Sequence, residues 1–473
     1  MSTGFVVLAG AYFAVVLGAG LAFRRRTRNI EDFFLASRSL PAALIWLSLT
    51  SAWFGATSIL VTTDEALKTG MSAVWIVGVP AVATVVLLAV AMTGPLRRLG
   101  VMTIPDLAEL RYGRAVRHLV SALIIWYMVL LAASQMVALG RFLQTFLGLS
   151  YTSCLAIGTA VVLIYTTAGG LRSVVFTDAV QFVLLAAGVS GLAFFLSGRA
   201  PWPEIVKQAA ASGKPGYFSP LYNIGENALI AISFTLAWTI SPIALQRIQA
   251  ARSERAAKTG LVATAGTLFA LYALVVAIGM LALPFFPDPA PVHPLVSELI
   301  LSKLGFGLGG LVFVAVLAAV LSTMDTAVNT GALALTRDVL QRLWPSAASR
   351  SMMMSRLATV VIAAAGFLVA TRFQSILTTI GLASEIMAEG LFVPGMAMIF
   401  LKKRAPLAGL LSLSLGGGFS ILSFLCAAHV LDLPLPVWPH SVPFGLGLSL
   451  TGFCLGFVLN GRSPRKPGVR SEI

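Results

Sequence analysis

The chain has 473 residues, of which 58% are hydrophobic and 11% charged, and its net charge is +15. That composition excludes a soluble globular protein and points to a polytopic membrane protein. The positive charge does not mark a nucleic-acid surface. Of the 33 Lys and Arg, 26 fall in one alternating set of loops, the bias that orients a membrane protein with those loops in the cytoplasm.

Apolar segments of spanning length fall at 4–23, 41–63, 72–95, 118–146, 150–167, 173–197, 227–246, 259–284, 305–333, 355–371, 376–401, 406–429 and 441–459. This predicts an all-α protein of about thirteen transmembrane helices in a cell membrane, with its N-terminus outside and its C-terminus in the cytoplasm. The first segment has no basic residue before it and RRRTR after it, the reverse of a cleavable signal peptide, so it is read as a retained helix. Three cysteines (Cys154, Cys426, Cys454) and four scattered histidines show no pairing or metal-ligand spacing. The tail from Gly461 is short and basic and is expected to be disordered.

Two segments are interrupted. In 41–63 the run LSLTSAWFGATS is small and polar at mid-span, and in 227–246 the sequence WTISP places Pro242 inside the span, where it removes a helix bond and frees a carbonyl. Such backbone is tolerated in a membrane only where it is buried or lines a cavity. Each break opens a block of five helices, 41–198 and 227–401, one starting inside and the other outside. That is the layout of an inverted repeat, with the binding site at the paired broken helices. Residues 1–40 then form a peripheral helix and a cytoplasmic loop, 199–226 an extracellular loop, and 402–473 two peripheral helices and the basic tail.

The ninth segment turns polar while still deep in lipid: LVFVAVLAAVLSTMDT (311–326) brings Ser322, Thr323, Asp325 and Thr326 within five residues. A carboxylate at that depth costs ~2.5–3.5 kcal/mol on insertion scales, so it marks a functional site by default. Adjacent hydroxyls suit a hard cation; the competing reading is that they bond back to helix carbonyls.

With GGLRSVVFTDAVQ at 169–181, SAW in the first broken helix, LQRIQAARSE at 245–254 and AAVLST at 318–323, the chain resembles the sodium:solute symporter family over roughly residues 31–401. The resemblance implies a leucine-transporter-like core of five plus five inverted-repeat helices and a sodium-coupled symporter importing a small organic solute by alternating access. It further implies a sodium site formed by the carbonyls of Ser51, Phe54 and Ala319 with the hydroxyls of Ser322 and Thr323. Some members have a second sodium; the matching positions are Asp178, Asp325 and Thr326, with Ser322 shared. Asp325 stands where such members carry a hydroxyl, so this second site holds a cation or a shared proton. A structural alternative for Asp178 is pairing with Arg172.

By fold analogy the solute sits near the breaks, beside Trp53, Thr57, Ser58, Ser134, Gln135 and Trp238. Glu385 and Glu389 stand at i and i+4 in an otherwise apolar segment and are added to that set. Like charges so placed repel, so they share a proton or serve a cation or a watery path. Acids together with tryptophans suit an amine or a quaternary ammonium through charge and cation–π contact; a zwitterion would use backbone amides at the broken helix for its carboxylate. No Lys or Arg is expected in the core, the nearest being Arg141. The resemblance implies Na+ as the coupling ion, and no organic cofactor is expected. Proton coupling through Asp325, Glu385 or Glu389 is the alternative within this class. A transporter-like sensor would need a separate signalling partner. An enzyme is disfavoured, since no nucleophile–base pair, metal-ligand cluster or phosphate loop is present.

Overall fold

The computed structural model describes residues 2–22, 30–214, 216–286, 293–344, 351–401 and 403–462. The basic tail beyond 462 lies outside the described residues. The described chain is helical, because in lipid each backbone amide and carbonyl has to be satisfied within the protein. Ten of its helices are long and apolar enough to cross a membrane, and three shorter apolar helices cover Thr3–Ala19, Ala42–Trp53 and Tyr151–Thr167.

The elements used below are α1 (Ser2–Ala22), α2 (Ala42–Trp53), α3 (Thr62–Thr69), α4 (Gly78–Leu87), α5 (Ile104–Tyr112), α6 (Arg114–Leu147), α7 (Tyr151–Ser197), α8 (Ile224–Thr239) and α9 (Pro242–Ala250). They continue with α10 (Glu254–Leu281), α11 (Phe306–Leu333), α12 (Ser351–Arg372), α13 (Ile376–Ile386), α14 (Phe392–Phe400), α15 (Pro406–Ser412), α16 (Gly418–Ala427) and α17 (Val442–Arg462). Helix α11 is the hub and packs on α6, α7, α12 and α2. The most apolar stretch of the α11 span is 72% buried against 28% for the α17 span, and the polar run of α11 is itself buried, while the last helices are peripheral.

Both expected breaks are present. Helix α2 ends at Trp53, Phe54 leaves helical geometry at φ −101° and ψ 68°, and a π-helical turn restarts the chain at Thr57. The two flanks of Gly55 leave no space for a side chain: a Cβ there would lie 2.6 Å from Thr323 Oγ1 and 2.8 Å from Gln135 Oε1. Helix α8 ends at Thr239, Ser241 is extended, and Pro242 begins α9 at the position where a missing N–H costs nothing. Pro242 therefore opens a second helix instead of kinking one. That helix runs on to Ala250 and is buried throughout, whereas the sequence placed the loop from residue 247.

Segments 150–167 and 173–197 form one long element, α7, bent at Gly170 (φ 61°, ψ −156°). Only glycine adopts that conformation readily, and a Cβ at Gly170 would also lie 2.7 Å from the Phe33 carbonyl. The glycine of the GGLRS motif is thus a packing requirement. Near the same end, the Leu40 amide bonds the Ala250 carbonyl at 3.0 Å and the Arg252 amide bonds Leu40 at 2.9 Å. The strand entering the first block is thereby tied to the exit of α9.

At that end of the bundle, Arg117 of α6 is 2% exposed. It reaches Asp106 at 2.9 Å, Glu109 at 2.5 Å and Asp338 at 2.8 Å; Asp338 also accepts from the Thr103 hydroxyl at 2.9 Å. The cluster joins α5 and α6 to the extension of α11. A fork of fixed donors is what several carboxylates at once require. Arg117→Lys keeps the charge and loses the fork, and is expected to destabilise the protein by about 1–3 kcal/mol in denaturant melts. Melts coinciding with wild type would remove this cluster from the stability account.

Candidate functional site

The break in α2 faces the polar run of α11. The Ser322 hydroxyl donates to the Ser51 carbonyl at 2.8 Å and to the Ala319 carbonyl at 3.2 Å; the Thr323 hydroxyl donates to Ala319 at 3.2 Å. After the break, the Ser58 and Ile59 amides bond the Gly55 carbonyl, so the helix resumes beyond Phe54. The structure brings Ser51, Ala319, Ser322 and Thr323 together, and Phe54 caps α2 where the helix breaks. The buried hydroxyls of Thr50, Ser51 and Thr57 have no hydrogen-bond partner. The carbonyl and hydroxyl oxygens of Ser51, Ala319, Ser322 and Thr323 are of the kind that a hard cation takes.

Beside this cluster lies a small pocket lined by Trp53, Thr57, Ser58, Gln135, Trp238 and Thr323 and also by Tyr127 and Ile380. Gln135 accepts the Ala56 amide at 2.9 Å and so replaces a helix acceptor lost at the break. Ser58 and Tyr272 share a hydrogen bond of 2.7 Å. The rings of Trp53 and Trp238 are 6.0 Å apart, and Phe234 stacks on Trp238 at 4.9 Å.

Three of the expected solute-site residues do not line the cavity. Ser134 turns back to the Leu131 carbonyl at 2.8 Å and accepts from Gln135 at 3.0 Å. Glu385 and Glu389 face the opposite way, toward Ser423, Ser441 and Gly445 of the peripheral helices. The i, i+4 spacing correctly placed the two glutamates on one face. It could not say which neighbour that face meets.

The expectation of a core without Arg or Lys is overturned by Arg247 of α9, which is fully buried. Its guanidinium donates to Ser48 Oγ at 3.0 Å, Gln246 Oε1 at 3.1 Å, Thr326 Oγ1 at 3.0 Å and Asp178 Oδ2 at 3.4 Å. Asp178 also accepts from Ser48 at 2.5 Å, and Asp325 accepts from the Tyr165 hydroxyl at 2.6 Å. Asp178, Asp325 and Thr326 are thus neighbours as expected, but an arginine stands among them. Arg172 pairs instead with Asp32 at 2.6 Å. Counting Arg247 with the loop charges hid it. The available signal was Asp178 itself, since a carboxylate this deep needs a partner.

The model of the sodium:solute symporter family matches residues 33–416. The chain belongs to the sodium:solute symporter family. Among its relatives, a sodium/glucose cotransporter of Vibrio parahaemolyticus is 25% identical over 441 residues, covering 84% of this chain and 79% of the relative. The osmoregulated proline transporter OpuE of Bacillus subtilis (strain 168) is 25% identical over 448 residues, covering 90% and 89%. Among solved structures, a Na+-coupled sialic acid symporter in a substrate-bound outward-open state superposes with a TM-score of 0.80 at 20% identity, covering 96% of this chain and 97% of that one. The protein is therefore a multi-pass membrane symporter of the leucine-transporter-like fold, coupling sodium to a small solute, and not an enzyme.

Proposed function

We propose that sodium binds between the break of α2 and α11, held by the carbonyls of Ser51, Phe54 and Ala319 and the hydroxyls of Ser322 and Thr323. The observation that carries this is the contact of Ser322 with Ser51 across the break. An ion there would tie the two helices together and brace the wall of the adjoining cavity. Blocks 41–198 and 227–401 then act as the two repeats that rock about the site. Arrival of Na+ favours solute entry, and its loss on the low-sodium side releases both. Each charge moved inward gains ~2.3 kcal/mol per 100 mV. The loop charges support a cell-membrane protein with its N-terminus outside.

In this reading the solute lies among Trp53, Trp238, Thr57, Ser58 and Gln135. With Glu385 and Glu389 turned away, the cavity lining carries aromatic rings, hydroxyls and one amide but no acid. A net-cationic amine would sit there unpaired, so of the two candidates the zwitterion is favoured, with its ammonium over a tryptophan face. Arg247 takes the place of a second coupling cation beside Asp178, which supports one sodium per cycle.

The test is thermal melting of the purified protein in NaCl, KCl and choline chloride, with and without zwitterionic, amine and sugar solutes. A ligand present at 100 times its Kd stabilises by about 2.7 kcal/mol. Melting is expected to rise in NaCl alone and further with a zwitterion. Equal melting in all three salts would overturn the sodium site.

A further inference from the structure

Glu385 and Glu389 form a second buried polar centre, outside the solute cavity. Helix α13 passes through a π-helical turn, Met387–Leu391, into α14, a distortion that recurs at functional sites. Glu389 lies 13 residues past Ile376, or about 20 Å at 1.5 Å per residue, near the middle of the Ile376–Phe400 span. Both side chains are fully buried. Glu385 Oε1 accepts from Ser423 of α16 and Ser441 at the start of α17, each at 2.5 Å. Glu385 Oε2 and both oxygens of Glu389 have no hydrogen bond of good geometry, and the hydroxyl that faces Glu389 is that of Ser441, already donated to Glu385.

Among the described residues no Lys, Arg or His pairs with either glutamate. The ionisable group facing each is the other glutamate. From the packed elements the site otherwise meets serine hydroxyls and glycine backbone: a Cβ at Gly445 of α17 would overlap the Glu389 carboxylate, and one at Gly416 its backbone carbonyl. Two buried carboxylates one turn apart cannot both stay ionised without a cation, and the close packing favours the smallest cation.

We propose that Glu385 and Glu389 are a proton-binding site, in which the pair holds a proton at the joint between α13 and the peripheral helices α16 and α17. The step is a simple protonation, one carboxylate and one H+ giving one carboxylic acid, whose O–H satisfies an otherwise unpaired oxygen. Ser441 offers the way in: its hydroxyl bonds Glu385, and the preceding residue, His440, is exposed and lies 3.5 Å from Glu226 at the surface. The site also adjoins the solute machinery. Ile380, on the same helix, lines the cavity, and Trp438 seats against Gly381 and contacts Phe234 at 5.7 Å. Phe234 in turn stacks on Trp238.

The test is infrared difference spectroscopy of the purified protein at neutral pH, in H2O and D2O and without sodium or solute, comparing wild type with E389Q and with E385Q. A protonated-carboxyl C=O band that shifts in D2O is expected in wild type, and is expected to be lost or moved in frequency in each variant. Because glutamine mimics the neutral acid, E389Q is expected to melt close to wild type. If one variant fails to fold, the other decides. Difference spectra containing only carboxylate bands would overturn the proposal, since both glutamates would then be ionised around some other cation. Neither result depends on the sodium site, so the two readings fail separately.

Discussion

Arg247→Ala is expected to destabilise the protein by about 3–5 kcal/mol, the penalty for leaving one member of a buried ion pair alone. The substitution removes four hydrogen bonds, to Ser48, Gln246, Asp178 and Thr326. It leaves Asp178, fully buried, with the Ser48 hydroxyl alone as a donor that the structure shows. The penalty comes mostly from the stranded carboxylate and less from the lost attraction. The double variant R247A/D178N should therefore recover a large part of the loss, and a double-mutant cycle measured by denaturant or thermal melts reads the coupling directly. A double variant no more stable than R247A would mean that the arginine serves by packing alone. R247A that melts with wild type would exclude the pair from the stability of the core.

Thr323→Ala and Ser322→Ala are expected to raise the sodium concentration for half-maximal stabilisation about tenfold or more, since each tenfold corresponds to ~1.4 kcal/mol and a hydrogen bond or dipole to a charged group contributes about that much or more. The two variants differ in one respect. Ser322 also bonds the Ser51 carbonyl, so its loss loosens α2 from α11 even without sodium. Thr323 points its hydroxyl at Ala319 and lies against Gly55 at the cavity wall, where a smaller side chain is tolerated. Thr323→Ser, which keeps the hydroxyl, should retain sodium sensitivity. If T323A and T323S respond to sodium as wild type does, the hydroxyl is not a ligand.

Much of the fold was legible because the bilayer makes it so. Long apolar segments become helices since no other arrangement satisfies their backbone in lipid. The two breaks announced themselves through a small polar run and WTISP, residues that a continuous membrane helix does not favour. The Ser322–Thr323 pair was visible as polarity placed where polarity is costly. The limits appeared where a charge had two possible explanations. Arg247 follows a predicted span directly and was counted with the loop cations, although the buried Asp178 already demanded a partner. Glu385 and Glu389 stood out as anomalous, but their spacing carried no sign that they face the peripheral helices and not the pocket.

The sequence by itself thus determined which segments are helical, where two of them fail, and which oxygen-bearing residues lie at those failures, because these are local consequences of hydrophobicity and backbone bonding. Tertiary structure alone decided what each polar side chain meets across helices far apart in the chain: Arg247 with Asp178, Ser322 with Ser51, and Glu385 with Ser423 and Ser441. The physical reason is that periodicity specifies the face of a helix but carries no record of its neighbour, and inside a membrane the neighbour sets whether a charge is paired, shared with a proton, or left to bind an ion.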